Sequence, residues 1–86
     1  MAKNEVELNK SIIHDLYDGY VYEGYNERGE RTTIEHTPNG NVAFKITEHP
    51  KDKKNGSLSV YEIDDGDSLI QVLKGIGLKK VQIKGL

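Results

Sequence analysis

Two short breaks, Glu27-Arg28-Gly29 and Pro38-Asn39-Gly40, constrain this chain more than anything else in it. Each places glycine third and lies between runs that alternate apolar and polar residues. That pattern fits a three-residue hairpin loop, a type I turn closed by a left-handed residue that forms a G1 bulge. A two-residue loop at Asn39-Gly40 would set Ile34 against Lys45 and split the apolar residues between two faces. Pro38 favours the longer loop, because its fixed φ suits the second position of a type I turn.

With both loops three residues long, a meander of three antiparallel strands follows. Tyr22 lies opposite Ile34 and Ile34 opposite Phe44. Tyr20 meets His36, which meets Val42; Gly24 meets Thr32, which meets Ile46. One face then carries Tyr20, Tyr22, Ile34, Val42, Phe44 and Ile46. The other carries Val21, Glu23, Tyr25, Arg31, Thr33, Glu35, Ala43, Lys45 and Thr47. A slip of one residue would exchange the faces, so two turns that agree carry weight.

The flanking segments complete an α+β domain. Leu8, Ile12 and Leu16 recur at helical spacing, with Ile13 and Tyr17 widening the stripe, which predicts a helix over residues 4–17. Asn4 and Glu7 resemble a capping box, and Asp18-Gly19 a glycine-closed end. Residues 48–57 read as a flexible polar loop broken by Pro50 and Asn55-Gly56. Leu58–Ile63 reads as a fourth strand with apolar residues on both parities, so its inner face is open. Asp65 or Asp67 then caps a short helix over 68–74 that stops at Gly75. Lys79–Lys84 forms a final strand with Val81 and Ile83 inward. The order is α-β-β-β-β-α-β: a mostly antiparallel sheet of four or five strands with two helices on one face, in a single domain spanning 1–86. The final strand either runs parallel to the fourth or takes an edge beside the first.

The 86 residues carry a net charge of −2 and no cysteine, which excludes disulfides and thiolate chemistry. Without an apolar signal core or a segment long enough to span a membrane, the expectation is a cytoplasmic protein. Charge is unevenly spread: residues 1–50 hold nine acids and five Lys/Arg, and residues 51–86 hold five acids and seven lysines.

The chemistry-bearing motifs are sparse. His14, His36 and His49 lack metal-ligand spacing, so no metal is expected, and His36 is read as a core histidine bonded to a tyrosine hydroxyl. Asp64-Asp65-Gly66-Asp67 lacks the acid that would complete a calcium loop and reads as a turn and helix cap. Gly75-Ile76-Gly77 follows a helix, where phosphate loops precede one. No serine sits in a nucleophile motif, so neither catalysis nor a cofactor is expected.

Four of the five tyrosines fall between residues 17 and 25. Tyr17, Tyr20 and Tyr22 are assigned to packing, leaving Tyr25 exposed on the outer face. Tyr and Arg often dominate interfaces, so Tyr25, Arg31, Lys45 and Glu23 form the candidate protein-binding surface. The expected function is a non-catalytic interaction module, in the style of a small bacterial or phage accessory protein that binds a host protein or a second copy of itself. The alternative is nucleic-acid binding through Lys51, Lys53, Lys54, Lys79, Lys80 and Lys84.

Overall fold

The computed structural model describes residues 5–52, 54 and 56–84. Along these residues the elements are β1 (Val6–Glu7), α1 (Ser11–Tyr17), β2 (Tyr22–Tyr25), β3 (Arg31–Asn39), β4 (Val42–His49), β5 (Ser59–Ile63), α2 (Gly66–Gly75) and β6 (Lys80–Ile83). The sheet is antiparallel throughout, in the order β1-β6-β2-β3-β4-β5. The α+β class and the order of the expected elements hold. The sheet has six strands, not four or five, because β1 was hidden inside the expected first helix.

The reason lies at the edge of β6. Val6 and Glu7 pair with Val81 and Lys80, and Leu8 N–H donates to the Lys79 carbonyl at 3.0 Å. This pairing satisfies backbone groups that an open edge would leave to water. The Asn9 side chain then accepts from Ser11 N–H at 2.7 Å and donates to the Glu7 carbonyl at 3.0 Å, turning the chain into α1. Asn4, the expected cap, lies outside the described residues. Ile12 and Leu16 are fully buried on α1, and Leu8 reaches the same core from the end of β1.

Both helices end alike. Gly19 N–H bonds the Leu16 carbonyl and Tyr20 N–H the Asp15 carbonyl, while Gly77 and Leu78 repeat this with Lys74 and Leu73. These are Schellman closures, and the glycines at φ 99° and 91° sit where a side chain would be strained. The second helix therefore runs through Gly75, and the glycine that closes it is Gly77, two residues further on. At its start, Asp65 accepts from Ser68 N–H at 2.7 Å, and this bond holds the Asp65 carboxyl below its ordinary pKa.

The two hairpins differ in how well they match the expected register. Across the first, Tyr22 pairs with Ile34 and Gly24 with Thr32, and Gly29 takes φ 75°, as the three-residue loop requires. The second is corrected. Ile34 pairs with Ile46, His36 with Phe44, and Thr32 with Glu48, two residues from the expected partners. Its turn is Gly40-Asn41, since Asn39 pairs with Val42, and a bulge between His36 and Asn39 restores the parity. Pro38 lies in that bulge, where no ladder hydrogen bond needs its missing N–H. A two-residue shift keeps each side chain on its face, so Tyr22, Ile34, Phe44 and Ile46 stay inward as expected; Tyr20 and Val42, expected beside them, are not among the core residues, and Ala43 is half-buried against the core.

Tyr22, Ile34, Phe44, Ile46, Ile63 and Val81 of the sheet pack against Ile12, Leu16, Leu69, Ile70 and Leu73 of the helices. Tyr61 and Ile63 give β5 its inner face, leaving Val60 outward. Tyr22 donates its hydroxyl to Asp15, and burial, then that partner, push its pKa up to about 12. His36 meets Tyr17 at 4.6 Å between ring centroids, and Tyr17 meets Phe44 at 5.5 Å. Tyr17, assigned to packing, makes these ring contacts yet keeps over half its surface in water (56%), so Tyr25 is not the sole exposed ring of the described residues. β6 lies beside β2, with β1 beyond it. Gly24 admits this neighbour: a Cβ there would stand 2.6 Å from the Lys80 carbonyl oxygen. Among the described residues, no helix is long and apolar enough to cross a membrane.

Candidate functional site

Both helices cover one face of the sheet, and the opposite face is open. Period-two alternation arranges that open face in rows across the strands. Glu35, Lys45 and Glu62 form one row, and Gln82, Glu23, Thr33, Thr47 and Val60 form the next. The third row contains Tyr25, Arg31 and His49. Lys80 comes next along β6, and Leu58 just precedes β5.

Under this third row, on the core side, lies a polar cluster. The Asn26 side chain uses its full bonding capacity. Its oxygen accepts from Arg28 N–H at 3.0 Å and Glu30 N–H at 2.9 Å. Its nitrogen donates to Glu30 at 3.0 Å and to Glu48 at 2.6 Å. Glu48 is 2% exposed, accepts from the Tyr61 hydroxyl at 2.8 Å and has Arg28 at 3.6 Å. Buried polar groups satisfied in this way specify geometry. The Asn26 bond, then the Arg28 bond, hold the Glu30 carboxyl below its usual range. The Glu30 bond raises Arg28, and donation to Glu48 raises the Tyr61 hydroxyl.

Alternation turns this clamp into a positioning device. Asn26, Glu30 and Glu48 are the immediate chain neighbours of Tyr25, Arg31 and His49. The inward residues are tied together, so the outward residues are set side by side.

The outward side forms a groove of about 570 Å³ lined by Tyr25, Arg31, His49, Pro50, Lys51 and Leu58, with Gly29 and Gly56 completing its wall. Tyr25 is 61% exposed and Leu58 57%. Arg31 stands 3.8 Å from Glu23. A second groove, of about 610 Å³, lies on the other side of Tyr25, with Glu5, Glu27, Lys79 and Lys80 in its lining.

The expected protein-binding residues are therefore only partly brought together. Tyr25 and Arg31 are direct cross-strand partners, and Glu23 is tied to Arg31. Lys45 is in the far row between Glu35 and Glu62. Of the lysines, Lys51 lines the first groove and Lys79 and Lys80 the second. Lys54 is exposed in the loop before β5, Lys84 is at the far end of β6, where its N–H meets the Val21 carbonyl, and Lys53 lies outside the described residues. Sequence reasoning missed His49 and Leu58 because β4 runs to His49, so Glu48 and His49 belong to the strand and not to the loop. The signal was present: Glu48 continues the parity of Phe44 and Ile46.

Thr33 Oγ1 and His49 Nε2, 3.3 Å apart, are the nearest thing here to a nucleophile beside a base. Thr33 is in mid-strand between β2 and β4, where its backbone is committed to ladders and cannot serve as an oxyanion hole. Among the described residues, no three His, Asp or Glu side chains gather to hold a metal. No protein-family model, curated protein or solved structure matches the chain.

Proposed function

We propose that this chain is a non-catalytic protein-binding module whose contact surface is the Tyr25–Arg31–His49 row of the open face. One observation carries the reading: Tyr25 is a largely exposed ring, directly opposite Arg31 and set between two grooves. Exposed Tyr and Arg on a rigid support are the residue types that most often anchor interfaces. The clamp beneath supplies that support, lowering the ordering cost of binding.

Pull-down from a bacterial lysate with immobilised wild type, Tyr25→Ala and Arg31→Ala tests it. The expected result is a captured protein that both variants lose, with unfolding midpoints near wild type. Equal capture by all three, or a Tyr25→Ala variant that is greatly destabilised, would remove the basis of the proposal. Light scattering decides whether the partner is a second copy of the chain.

A second reading has its own support. Lysines line the grooves on both sides of Tyr25, an arrangement that suits single-stranded nucleic acid, with a base on the ring and phosphates on either side. Binding of that kind weakens steeply with salt, so titration of a single-stranded oligonucleotide at low salt, with no binding seen, removes it.

A further inference from the structure

We infer that the Tyr25–Leu58 groove takes an acidic peptide segment that also carries one aromatic or aliphatic side chain. This deepens the protein-binding reading and rests on it.

The chain is net negative, yet the groove is lined by Arg31 and Lys51 and, among the described residues, by no carboxylate. The acids of the open face lie outside it: Glu23 in the neighbouring row, and Glu35 and Glu62 in the row beyond. Arg31 faces Glu23 at 3.8 Å, a long contact between partly exposed side chains. Such a pair is worth little, so a peptide carboxylate can recruit the guanidinium at small cost. A planar guanidinium suits a carboxylate, which it can grip with two parallel bonds.

The groove also has an apolar half. Tyr25 and Leu58 are both more than half exposed at the same groove. An apolar side chain laid over them would remove from water a surface that the fold leaves uncovered.

The groove wall is preformed. Gly56 N–H closes onto the Asp52 carbonyl at 2.8 Å, and a Cβ on Gly56 would fall 2.3 Å from Pro50 Cβ. The wall therefore packs glycine on proline, with no side chain projecting from Gly56. The opposite wall is the Gly29 turn held by the Asn26 clamp.

A nucleic acid fits the same cations less well. It repeats its charge at every step, and beyond this groove it would meet Glu23 on one side and Glu5 and Glu27 on the other. A peptide can place its charge once.

The test is selection of a displayed random-heptapeptide library on the full chain, followed by fluorescence polarisation of the enriched peptides. Enriched sequences should pair Asp or Glu with an aromatic or aliphatic residue. Their affinity should fall about tenfold or more on Lys51→Glu, and comparably on Leu58→Ser. It should weaken as salt rises and return when a lysine-bearing peptide is offered to the Lys51→Glu variant. Both substitutions are at exposed positions, and unfolding midpoints check that they fold. Enrichment of non-acidic sequences, indifference to both substitutions, or no enrichment overturns the inference. So does an oligonucleotide of twelve thymidines that displaces the peptides at lower concentration. If lysate capture still depends on Tyr25 while selection yields no acidic peptides, the inference falls and the protein-binding reading stands. If capture is independent of Tyr25, both fall.

Discussion

The two hairpins of the central meander turn at opposite ends of the sheet and are closed by different means. At the β2–β3 end a side chain does the work: the Asn26 amide bonds Arg28 and Glu30 of its own turn and a carboxylate two strands away. At the β3–β4 end the backbone does it, with a two-residue turn and a bulge, over an apolar corner of Tyr17, His36 and Phe44. Precision is kept at the polar end. A bulge restores parity and asks little of the side chains around it. A satisfied polar cluster fixes positions, and the groove is found above that cluster.

The largest test strikes the core at each end. Phe44→Ala removes a ring with no exposed surface and should cost about 3–5 kcal/mol in urea unfolding. Glu48→Ala leaves Asn26 and Tyr61 without their acceptor and should cost about 2–3 kcal/mol, with Glu48→Gln milder because its amide oxygen still accepts. If Glu48→Ala matches wild type, the polar end is not clamped and the contrast fails. A sharper comparison uses the two turn glycines. Gly29 and Gly40 have φ of 75° and 64°, so alanine at either should cost about 1–2 kcal/mol. Only at Gly29 would the new Cβ meet a neighbour, Lys51 Nζ at 2.9 Å. Gly29→Ala should therefore shift Lys51 resonances in NMR spectra, while Gly40→Ala leaves them in place.

The smallest effect is in pH. Glu30 is held below its ordinary value of 4.5 by Asn26 and then Arg28. A carboxyl depressed in the folded state contributes stability that is present above the unfolded pKa. That stability is lost as pH falls through the lower folded value. Below about pH 4.5, wild type should lose stability more steeply than Glu30→Gln. Parallel acid profiles for the two would show that the turn does not draw on this carboxylate.

The meander was legible because alternation and turn chemistry agreed, and the first hairpin follows them residue by residue. The second misled because its turn is Gly40-Asn41, one residue beyond both closures that Pro38-Asn39-Gly40 suggests. A bulge that restores parity leaves no mark on the alternation from which register is read. β1 was hidden for a related reason: Leu8 keeps helical spacing with Ile12 and Leu16 yet reaches the core from a strand. Val6 and Glu7 pair because β6 offers them an edge, a partner more than seventy residues away. Of the candidate surface, Tyr25 and Arg31 could be read from the first hairpin alone. His49 and Leu58 depend on where β4 ends and which way β5 faces, and Glu48, polar in an apolar phase, points to both only once its partners are known.

The insertion of β6 between β1 and β2 has a consequence in time. Strands β2 to β5 join neighbours along the chain and can assemble through local connections. The Glu23–Gln82 pairing joins residues 59 positions apart, and until it forms β1 has no place in the sheet and the outer edge of β2 is open. Non-local pairing of this kind slows folding. The order expected in stopped-flow refolding is an early four-stranded meander, followed by a slower step in which β6 docks against Gly24 and brings β1 with it. During that interval the open edge of β2 is where another unfinished chain would pair, so refolding yield should fall as protein concentration rises.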